Sequence, residues 1–276
     1  MAKNNNLHNA KRAKNDEFYT RLEDIERELC NYKECFKGKV VYCNCDDPIE
    51  SGFYHYFSYK FESLGLKKLI STGYKENGQG VAYIYEGDKN GNNVPDINEI
   101  DIFPLKGSGD FRSEECLEFL KEADIVVTNP PFSLFREFVA QLVEYGKEFL
   151  IVGNSNAITY KEVFPLIKEN KMWLGVNYVK EFITPLAEVE NEKTQYVKGG
   201  KVYQKFGNIC WFTNLSHPKR NRPLDLAQRF DERYYNVYDN YSAINVDKVM
   251  DIPREKDITL TLSKDVYPKW KNVYGD

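Results

Sequence analysis

Four consecutive residues, Asn129-Pro130-Pro131-Phe132, end a hydrophobic segment and combine groups that could act on a planar amine. Two adjacent prolines remove two backbone donors and fix the backbone, so the loop is stiff and its carbonyl groups face outward. An amino group could donate to the Asn129 side chain and to the Pro130 carbonyl while its ring stacks on Phe132. The alternative is a simple turn, since an X-Pro-Pro sequence ends strands of any function.

The pattern along the chain predicts an α/β scaffold for these residues. Buried strands are predicted at 39–45, 67–72, 123–128 and 149–153, and helices at 16–36, 51–64, 114–121 and 134–145. A hairpin from residue 82 interrupts the alternation, and Ile209–Thr213 is the last predicted strand. This spacing predicts a doubly wound, mostly parallel sheet. Ligands of such sheets bind beyond the carboxyl ends of the strands, where three unusual segments fall, at 44–48, 107–111 and 129–132.

Composition narrows the class of protein. A hydrophobic content of 42% with 29% charged residues is typical of globular chains and excludes wholesale disorder. No window is apolar enough for a membrane span, and the polar N-terminus has no signal-peptide core. The six cysteines fit neither a disulfide framework nor a CxxC zinc set. We therefore expect a cytoplasmic protein with no membrane or metal partner, and a monomer, although an oligomer stays open.

Charge is distributed unevenly on this acidic chain of net charge −4. Residues 1–14 carry +4 and residues 193–233 carry +6, which leaves −14 on the rest. Two basic segments on an acidic body are typical of a protein that grips a phosphate backbone locally. Ordinary solvated surface is the alternative, so charge alone does not establish a polyanion partner.

Several motifs resemble one enzyme family. Thr128–Ser133 resembles the catalytic motif of class I S-adenosylmethionine-dependent amino-methyltransferases. Four further segments resemble the EcoRI-type adenine-specific DNA methyltransferases, at 16–20, 42–48, 64–68 and 207–213. The resemblance extends in order from about residue 8 to about residue 253. It implies a Rossmann-like fold with a small DNA-recognition extension, and methyl transfer from S-adenosylmethionine to N6 of an adenine flipped out of double-stranded DNA, as in restriction–modification systems.

The resemblance also implies cofactor contacts. Phe18-Tyr19-Thr20 would lie over the methionine end of the cofactor. Asp47-Pro48 matches an acidic position that binds its α-amino group, with the adjacent Asp46 as the alternative carboxylate. Asp110 would accept a hydrogen bond from its adenine amino group, and Phe111 would pack on that ring. For Asp110 the alternative is an N-cap of the following helix.

Two features depart from the family pattern. The glycine-rich turn that normally follows the first strand is missing, and Ser51-Gly52 is the nearest substitute. No acid follows the strand at 69–70, where such enzymes bind the ribose hydroxyls. The chain offers Ser71, Thr72 and Tyr74 there instead. The ribose contact therefore stays open.

Target recognition is the least specific part of the resemblance. Trp211 and Phe212 are candidate walls of the target-base pocket, with core packing as the alternative. The excursion at 179–206 and a C-terminal extension at 216–276 would read the DNA, beside a methyltransferase core at 1–215. Candidate DNA contacts are the basic residues Lys198, Lys201, Lys219, Arg220 and Arg222.

Two other functions compete with adenine methylation in DNA. The same fold could methylate an RNA base or a protein glutamine amide, because Asn before Pro-Pro serves those substrates too. A catalytically inactive, nucleic-acid-binding methyltransferase fold is the second alternative, suggested by the two departures. The intact Asn129–Phe132 motif argues against it.

Overall fold

The computed structural model describes residues 18–75, 78–92, 94–184, 186, 189 and 191–222, and the backbone of 236–237 and 244–245. The basic segment 1–14, the first two residues of the 16–20 motif and most of the 216–276 extension lie outside the described residues. The chain divides into two compact units, 1–220 and 221–276. Among the described helices, none has the length and apolar character needed to cross a membrane.

Strands and helices alternate through most of the first unit. Its strands are β1 (Tyr19–Thr20), β2 (Val40–Cys43), β3 (Lys68–Gly73), β4 (Val81–Tyr85), β5 (Ile100–Pro104), β6 (Ile125–Thr128), β7 (Glu148–Asn154), β8 (Trp173–Thr184), β9 (Gln195–Lys198) and β10 (Lys201–Thr213). Its α-helices are α1 (Leu22–Leu29), α2 (Gly52–Tyr59), α3 (Phe61–Leu64), α4 (Glu114–Glu122), α5 (Phe135–Glu144) and α6 (Phe164–Lys168). Short 3-10 turns lie at Lys33–Cys35, Phe132–Leu134 and Ser155–Thr159. In the second unit, β11 (Asn236–Val237) pairs antiparallel with β12 (Ile244–Asn245).

One mixed sheet organises the first unit. Its order is β1-β8-β10-β7-β6-β2-β3-β4-β5, with β9 paired to β10. The four central strands, β7, β6, β2 and β3, are parallel. They are continuous hydrophobic runs such as Val40–Cys43, as expected for strands buried on both faces. The flanking strands are antiparallel, including the hairpin of β4 and β5 that the sequence predicted.

A hydrophobic core lies on each face of the sheet. Because side chains alternate along a strand, Val41 and Cys43 face one core and Val40 and Tyr42 face the other. Helices α1, α2 and α3 cover the first core, and α4 and α5 cover the second. The predicted doubly wound α/β fold is confirmed.

The structure departs from the sequence prediction in three places. The helix predicted over 16–36 is replaced by β1, α1 and a 3-10 turn, because Tyr19 and Thr20 pair with Ile183 and Phe182 of β8. Local periodicity carries no sign of a partner 160 residues away. The strand predicted at 209–213 is confirmed as the end of the 13-residue β10, which begins eight residues earlier, at Lys201. The 12-residue β8 was missed because its partly buried pattern mixes polar and apolar residues.

Candidate active site and nucleic-acid interface

A cavity of about 380 Å³ lies at the carboxyl ends of the central strands. It brings together all three segments that the sequence placed there, and the start of β1. Its lining residues are Phe18, Tyr19, Cys45, Asp46, Asp47, Tyr74, Lys75, Gly109, Asp110, Phe111, Arg112, Asn129, Pro131, Ser133 and Leu134. The predicted residues Thr20, Pro48, Pro130 and Phe132 directly adjoin these in the chain. The site is therefore where an open α/β sheet binds its ligands.

Asn129 is held in one orientation at the cavity wall. The Thr128 hydroxyl donates to the Asn44 carbonyl, which joins the end of β6 to the end of β2. The Asn129 amide nitrogen, Nδ2, donates to the Phe18 carbonyl at 2.5 Å. Its carbonyl oxygen, Oδ1, is buried and has no hydrogen-bond partner among the described residues. A buried acceptor without a partner is costly, so this oxygen is suited to receive a ligand donor.

Three phenylalanine rings surround Phe132, and the four rings pack against one another. Phe18 stacks on Phe132 with ring centroids 6.1 Å apart and an interplanar angle of 26°. Phe182 and Phe206 meet Phe132 edge-on, at 6.2 and 6.1 Å. Phe182 and Phe206 lie on β8 and β10, and neither was predicted from the sequence as a site residue. From the sequence, β8 was not predicted and only the end of β10 was. Nothing therefore indicated that a phenylalanine in either strand would lie beside Phe132.

The loop after β2 turns without a glycine. Cys45 has φ of +75°, in the left-handed region that glycine favours. The proposed substitute, Gly52, has a different role, since a Cβ there would lie 2.7 Å from the Thr20 carbonyl oxygen. Gly52 therefore allows α2 to approach β1, and Cys45 makes the turn after β2 in a backbone conformation that glycine favours.

Two adjacent carboxylates follow Cys45 at the cavity. Asp46 is buried and accepts a hydrogen bond from the Ser51 hydroxyl at 3.3 Å. Asp47 accepts from the Ile49 backbone N–H at 2.8 Å, which closes a tight turn. Both line the cavity, so both can reach a cationic group in it.

Asp110 is engaged by a neighbouring arginine. The Arg112 guanidinium donates to both oxygens of Asp110, at 2.8 and 2.6 Å, and also reaches Glu137 at 3.3 Å. These hydrogen bonds lower the pKa of Asp110 below its ordinary value. The N-cap alternative for Asp110 is wrong, because the Ser113 side chain caps α4.

The loop that carries Asp110 depends on a close backbone approach. Gly109 has φ of +82°, and a Cβ on it would lie 2.3 Å from the Gly73 carbonyl oxygen. Of the three ribose candidates, only Tyr74 lines the cavity. The Thr72 hydroxyl is bonded to Tyr42 at 2.7 Å, and Ser71 is buried in β3.

The described thiols at the end of β2 and the described histidines are not arranged as an activated nucleophile. Burial raises the pKa of the Cys43 and Cys45 thiols well above the ordinary value, so both thiols stay protonated and weakly nucleophilic. His55 and His217 bond to backbone carbonyls instead of to a serine or cysteine. Within the described ranges, no group of three or more His, Cys, Asp or Glu side chains is arranged to hold a metal ion.

Trp211 and Phe212 do not wall the cavity, contrary to the expectation. Both are fully buried, and because side chains alternate along β10 they belong to the cores on opposite faces of the sheet. Trp211 packs edge-on against Phe53 of α2, and Phe212 packs against Phe135 of α5. The core-packing alternative therefore describes them.

The predicted basic contacts fall into separate groups. Lys198 and Lys201 face each other across a two-residue turn at the tip of the β9–β10 hairpin. Residues 201–208 extend past the end of β7, at the cavity side of the sheet. Lys219 and Arg220 follow the opposite end of β10, roughly 40 Å from the tip at about 3.3 Å per residue. Arg220 stacks on Trp173 at 3.3 Å, and Arg222 belongs to the second unit.

Known proteins resemble the chain over nearly its whole length. Residues 6–266 match the family described as Adenine-specific methyltransferase EcoRI. The chain is 48% identical over 266 residues to the Type II methyltransferase M.EcoRI of Escherichia coli, covering 91% of this chain and 82% of that protein. It is 40% identical over 253 residues to the Type II methyltransferase M.MgeORF184P of Mycoplasma genitalium, covering 89% and 77%.

Solved structures also resemble the chain. One of them is the crystal structure of a putative RNA methyltransferase, PH1948, from Pyrococcus horikoshii. The identity is 19% and the TM-score 0.31, covering 71% of this chain and 82% of that one. A likeness this weak does not bear on the substrate.

Proposed function

The chain belongs to the EcoRI family of adenine-specific DNA methyltransferases, and we propose that its cavity binds S-adenosylmethionine and methylates N6 of an adenine flipped out of double-stranded DNA. Inside a duplex an active-site pocket cannot close around this nitrogen with the geometry that methyl transfer needs, so the base must leave the stack. We further propose a cytoplasmic enzyme that acts as part of a restriction–modification system, which the similarity to two Type II methyltransferases supports.

The residues of the cavity fit the cofactor. S-adenosylmethionine supplies a methyl group already activated by a sulfonium, together with an ammonium group and an adenine ring. Asp46 or Asp47 would bind the ammonium group by a charge-assisted hydrogen bond. Phe111 would pack on the adenine ring of the cofactor. Asp110 would accept a hydrogen bond from the adenine amino group, so its carboxylate would bind both this group and Arg112. Tyr19 and Tyr74 would enclose the remainder.

The orientation of Asn129 is the observation that carries the proposal. Its buried carbonyl oxygen would accept one N–H of the target amine, and the Pro130 carbonyl would accept the other. The Pro131 carbonyl is already committed, since it accepts from the Leu134 N–H at 3.0 Å. Two acceptors draw the nitrogen toward tetrahedral geometry and direct its lone pair at the methyl group. The chain then contributes orientation and exclusion of water, without a charged base.

Binding of the duplex would use the β9–β10 hairpin. Lys198 and Lys201 are exposed at its tip, and neutralising phosphates at this point would hold the DNA beside the cavity. We propose that residues 1–215 form the catalytic core, and that the 179–206 excursion and the 216–276 extension read the sequence. Lys219, Arg220 and Arg222 belong to this extension and would contact DNA as part of it, separately from the hairpin.

A transfer assay with alternative substrates tests the proposal. Wild-type protein is mixed with tritiated S-adenosylmethionine and unmethylated genomic DNA, total RNA or denatured protein, and the product is located by sequencing. We expect N6-methyladenine at one short DNA motif. Asn129→Ala should lose this product, whereas Asn98→Ala, an exposed asparagine on the β4–β5 loop, should keep it. Transfer to RNA or protein alone, or no cofactor binding, would contradict the proposal.

A further inference from the structure

Three side chains connect the β9–β10 hairpin to the start of β1, where the Phe18 carbonyl orients Asn129. They belong to Tyr196, Glu181 and Arg21. We propose that these three are positioning residues, which couple the binding of DNA by the hairpin to the orientation of the Asn129 amide. The inference rests on the proposed function, because it concerns the rate of that reaction once DNA and cofactor are both bound.

The β1 strand is too short to hold the Phe18 carbonyl by itself. It has two residues, lies at the edge of the sheet and, within the described part of the chain, pairs with β8 at two positions. Edge segments with few backbone hydrogen bonds are the ones that open most readily. The hydrogen bond from Asn129 to Phe18 therefore depends on the other contacts that hold β1 against β8.

Arg21 extends the pairing of β1 with β8 through side chains. Thr20 is opposite Phe182, so Arg21, the next residue, comes opposite Glu181. The Arg21 guanidinium bonds to the Glu181 carboxylate, and it also donates to Asp24 of α1 at 2.8 Å. The side chains of Arg21, Glu181 and Asp24 are 18%, 19% and 2% exposed, so these ion pairs are largely shielded from water and salt. This bridge holds the end of β1 to β8.

Tyr196 connects the same carboxylate to the hairpin. Its hydroxyl donates to Glu181 Oε2 at 2.7 Å, whereas Arg21 binds the other oxygen, Oε1. The hydrogen bond to Glu181 raises the pKa of Tyr196, so the hydroxyl stays protonated and remains the donor. The Tyr196 ring stacks on Tyr203 of β10 with centroids 5.2 Å apart, and the Lys205 ammonium lies 5.0 Å from the Tyr196 centroid. Tyr196 is thus part of the hairpin and is bonded to Glu181 at the same time.

A continuous series of contacts results, from the hairpin through Glu181 and Arg21 to β1 and on to Asn129. Lys198 and Lys201 lie at the tip of the hairpin, so DNA bound there would restrain β9 and β10. If DNA binds best when the hairpin is bonded to Glu181, it shifts the protein toward that arrangement, and with it toward the observed orientation of Asn129. The Asn129 carbonyl oxygen is then set for the target amine chiefly in the complex with DNA.

The test separates the rate of methyl transfer from binding. Tyr196→Phe removes one hydroxyl and keeps the ring that stacks within the hairpin. Single-turnover rates are measured with saturating S-adenosylmethionine and a saturating duplex that carries the motif methylated by the wild-type protein. We expect Tyr196→Phe to transfer the methyl group about tenfold more slowly, with both dissociation constants unchanged. Tyr178→Phe, which alters an exposed tyrosine on β8, is the matched control and should keep the wild-type rate.

A double-mutant cycle shows whether the effect passes through Asn129. In the Asn129→Ala background there is no amide to orient, so Tyr196→Phe should not lower the rate any further. Glu181→Gln, a second variant that keeps the size of the side chain, should also slow transfer by wild-type protein and leave the rate of Asn129→Ala unchanged.

Two results would overturn the coupling. Equal rate losses from Tyr196→Phe in the two backgrounds would mean that the hydroxyl does not act through Asn129. Weaker DNA binding with an unchanged rate at saturation would mean that Tyr196 and Glu181 only support the hairpin. Failure of the proposed function is separate, because wild-type protein would then give no methylated motif from which to build the duplex.

Discussion

The Phe18 backbone carbonyl accepts a hydrogen bond from Asn129 Nδ2 at 2.5 Å, across 111 residues of sequence. This contact decides which end of the Asn129 amide is left without a partner. With the nitrogen committed to Phe18, the carbonyl oxygen is left as the acceptor. A residue outside the catalytic motif thus orients the central group of that motif. Pairing of Thr20 with Phe182 holds Phe18 in place.

The same contact predicts an unusual pH profile for Asn129→Asp. An ionised carboxylate has no proton to donate, so it would repel the Phe18 carbonyl and lose the orienting bond. A protonated carboxyl group has one donor and one acceptor, as the amide does. We therefore expect the activity of this variant to rise as pH falls from 8 to 6, because burial raises the pKa of the introduced carboxyl group. Initial rates across that range, with wild type as reference, are the measurement. A variant as active as wild type at pH 8 would count against the orienting bond.

Asp110→Asn should change stability in a pH-dependent way. The pKa of Asp110 is lowered in the folded protein by hydrogen bonds from Arg112, so its carboxylate stabilises the fold above the unfolded pKa of about 3.9. That contribution is lost as pH falls through the lowered folded pKa. Urea unfolding should show a constant difference between wild type and variant from pH 8 to pH 5, closing below about pH 4. A difference that closes between pH 7 and 5 would show instead that the pKa is raised.

At position 45 we expect glycine to give a more stable protein than alanine, which is the reverse of the usual order within a strand. At φ of +75° alanine remains strained, whereas glycine does not, so Cys45→Gly should be more stable than Cys45→Ala by about 1 kcal/mol. Cys43 supplies the matched control, because in β2 the order should reverse by roughly 0.5–1 kcal/mol. Urea midpoints of the four variants decide the question. The same order at both positions would refute a strained turn.

Glu28 links α1 to the start of β8 and should be sensitive to loss of charge. It is fully buried and accepts hydrogen bonds from the Tyr32 hydroxyl, two backbone N–H groups and the Asn177 amide, at 2.7–2.9 Å. Glu28→Gln turns an amide nitrogen toward hydrogen-bond donors, so we expect the free energy of unfolding to fall by about 2–4 kcal/mol. Glu23→Gln, exposed on the same helix, should cost less than about 0.5 kcal/mol. Chemical denaturation measures both, and similar losses would contradict the assigned network.

The hairpin tip predicts a change in salt dependence. If Lys198 and Lys201 each neutralise one phosphate, replacing both with alanine should lower the slope of log K against log salt concentration by about 1.8. Lys121→Ala, exposed at the end of α4 just before β6 and so at the sheet edge opposite the cavity, should leave the slope unchanged. Fluorescence anisotropy at several salt concentrations gives the slopes. An equal effect of both changes would place the duplex elsewhere.

The four central strands and the three segments that line the cavity could be predicted from the sequence. Strands such as Val40–Cys43 are buried on both faces, so they appear as uninterrupted apolar runs, and polar segments at their ends mark the ligand edge. The edges of the sheet gave no such signal. Strands β8 and β10 are partly exposed, and β1 exists only through pairing with β8.

Side-chain environments within the site were harder to predict. Trp211 and Phe212 lie in a motif of the resemblance, yet alternation along β10 sends them into opposite cores. Phe182 and Phe206 reach the motif because two long antiparallel strands pass it, one of them with a bulge. The engagement of Asp110 by Arg112 likewise depends on a turn geometry that spacing does not encode.

The most direct test of the central claim is the single-turnover rate of methyl transfer by wild type and Asn129→Ala, with cofactor and duplex both saturating. If the Asn129 carbonyl oxygen orients the amine, the variant should bind both ligands as wild type does and transfer the methyl group roughly 100-fold or more slowly. A rate within about threefold of wild type under saturation, roughly 0.7 kcal/mol in the barrier, would contradict that role.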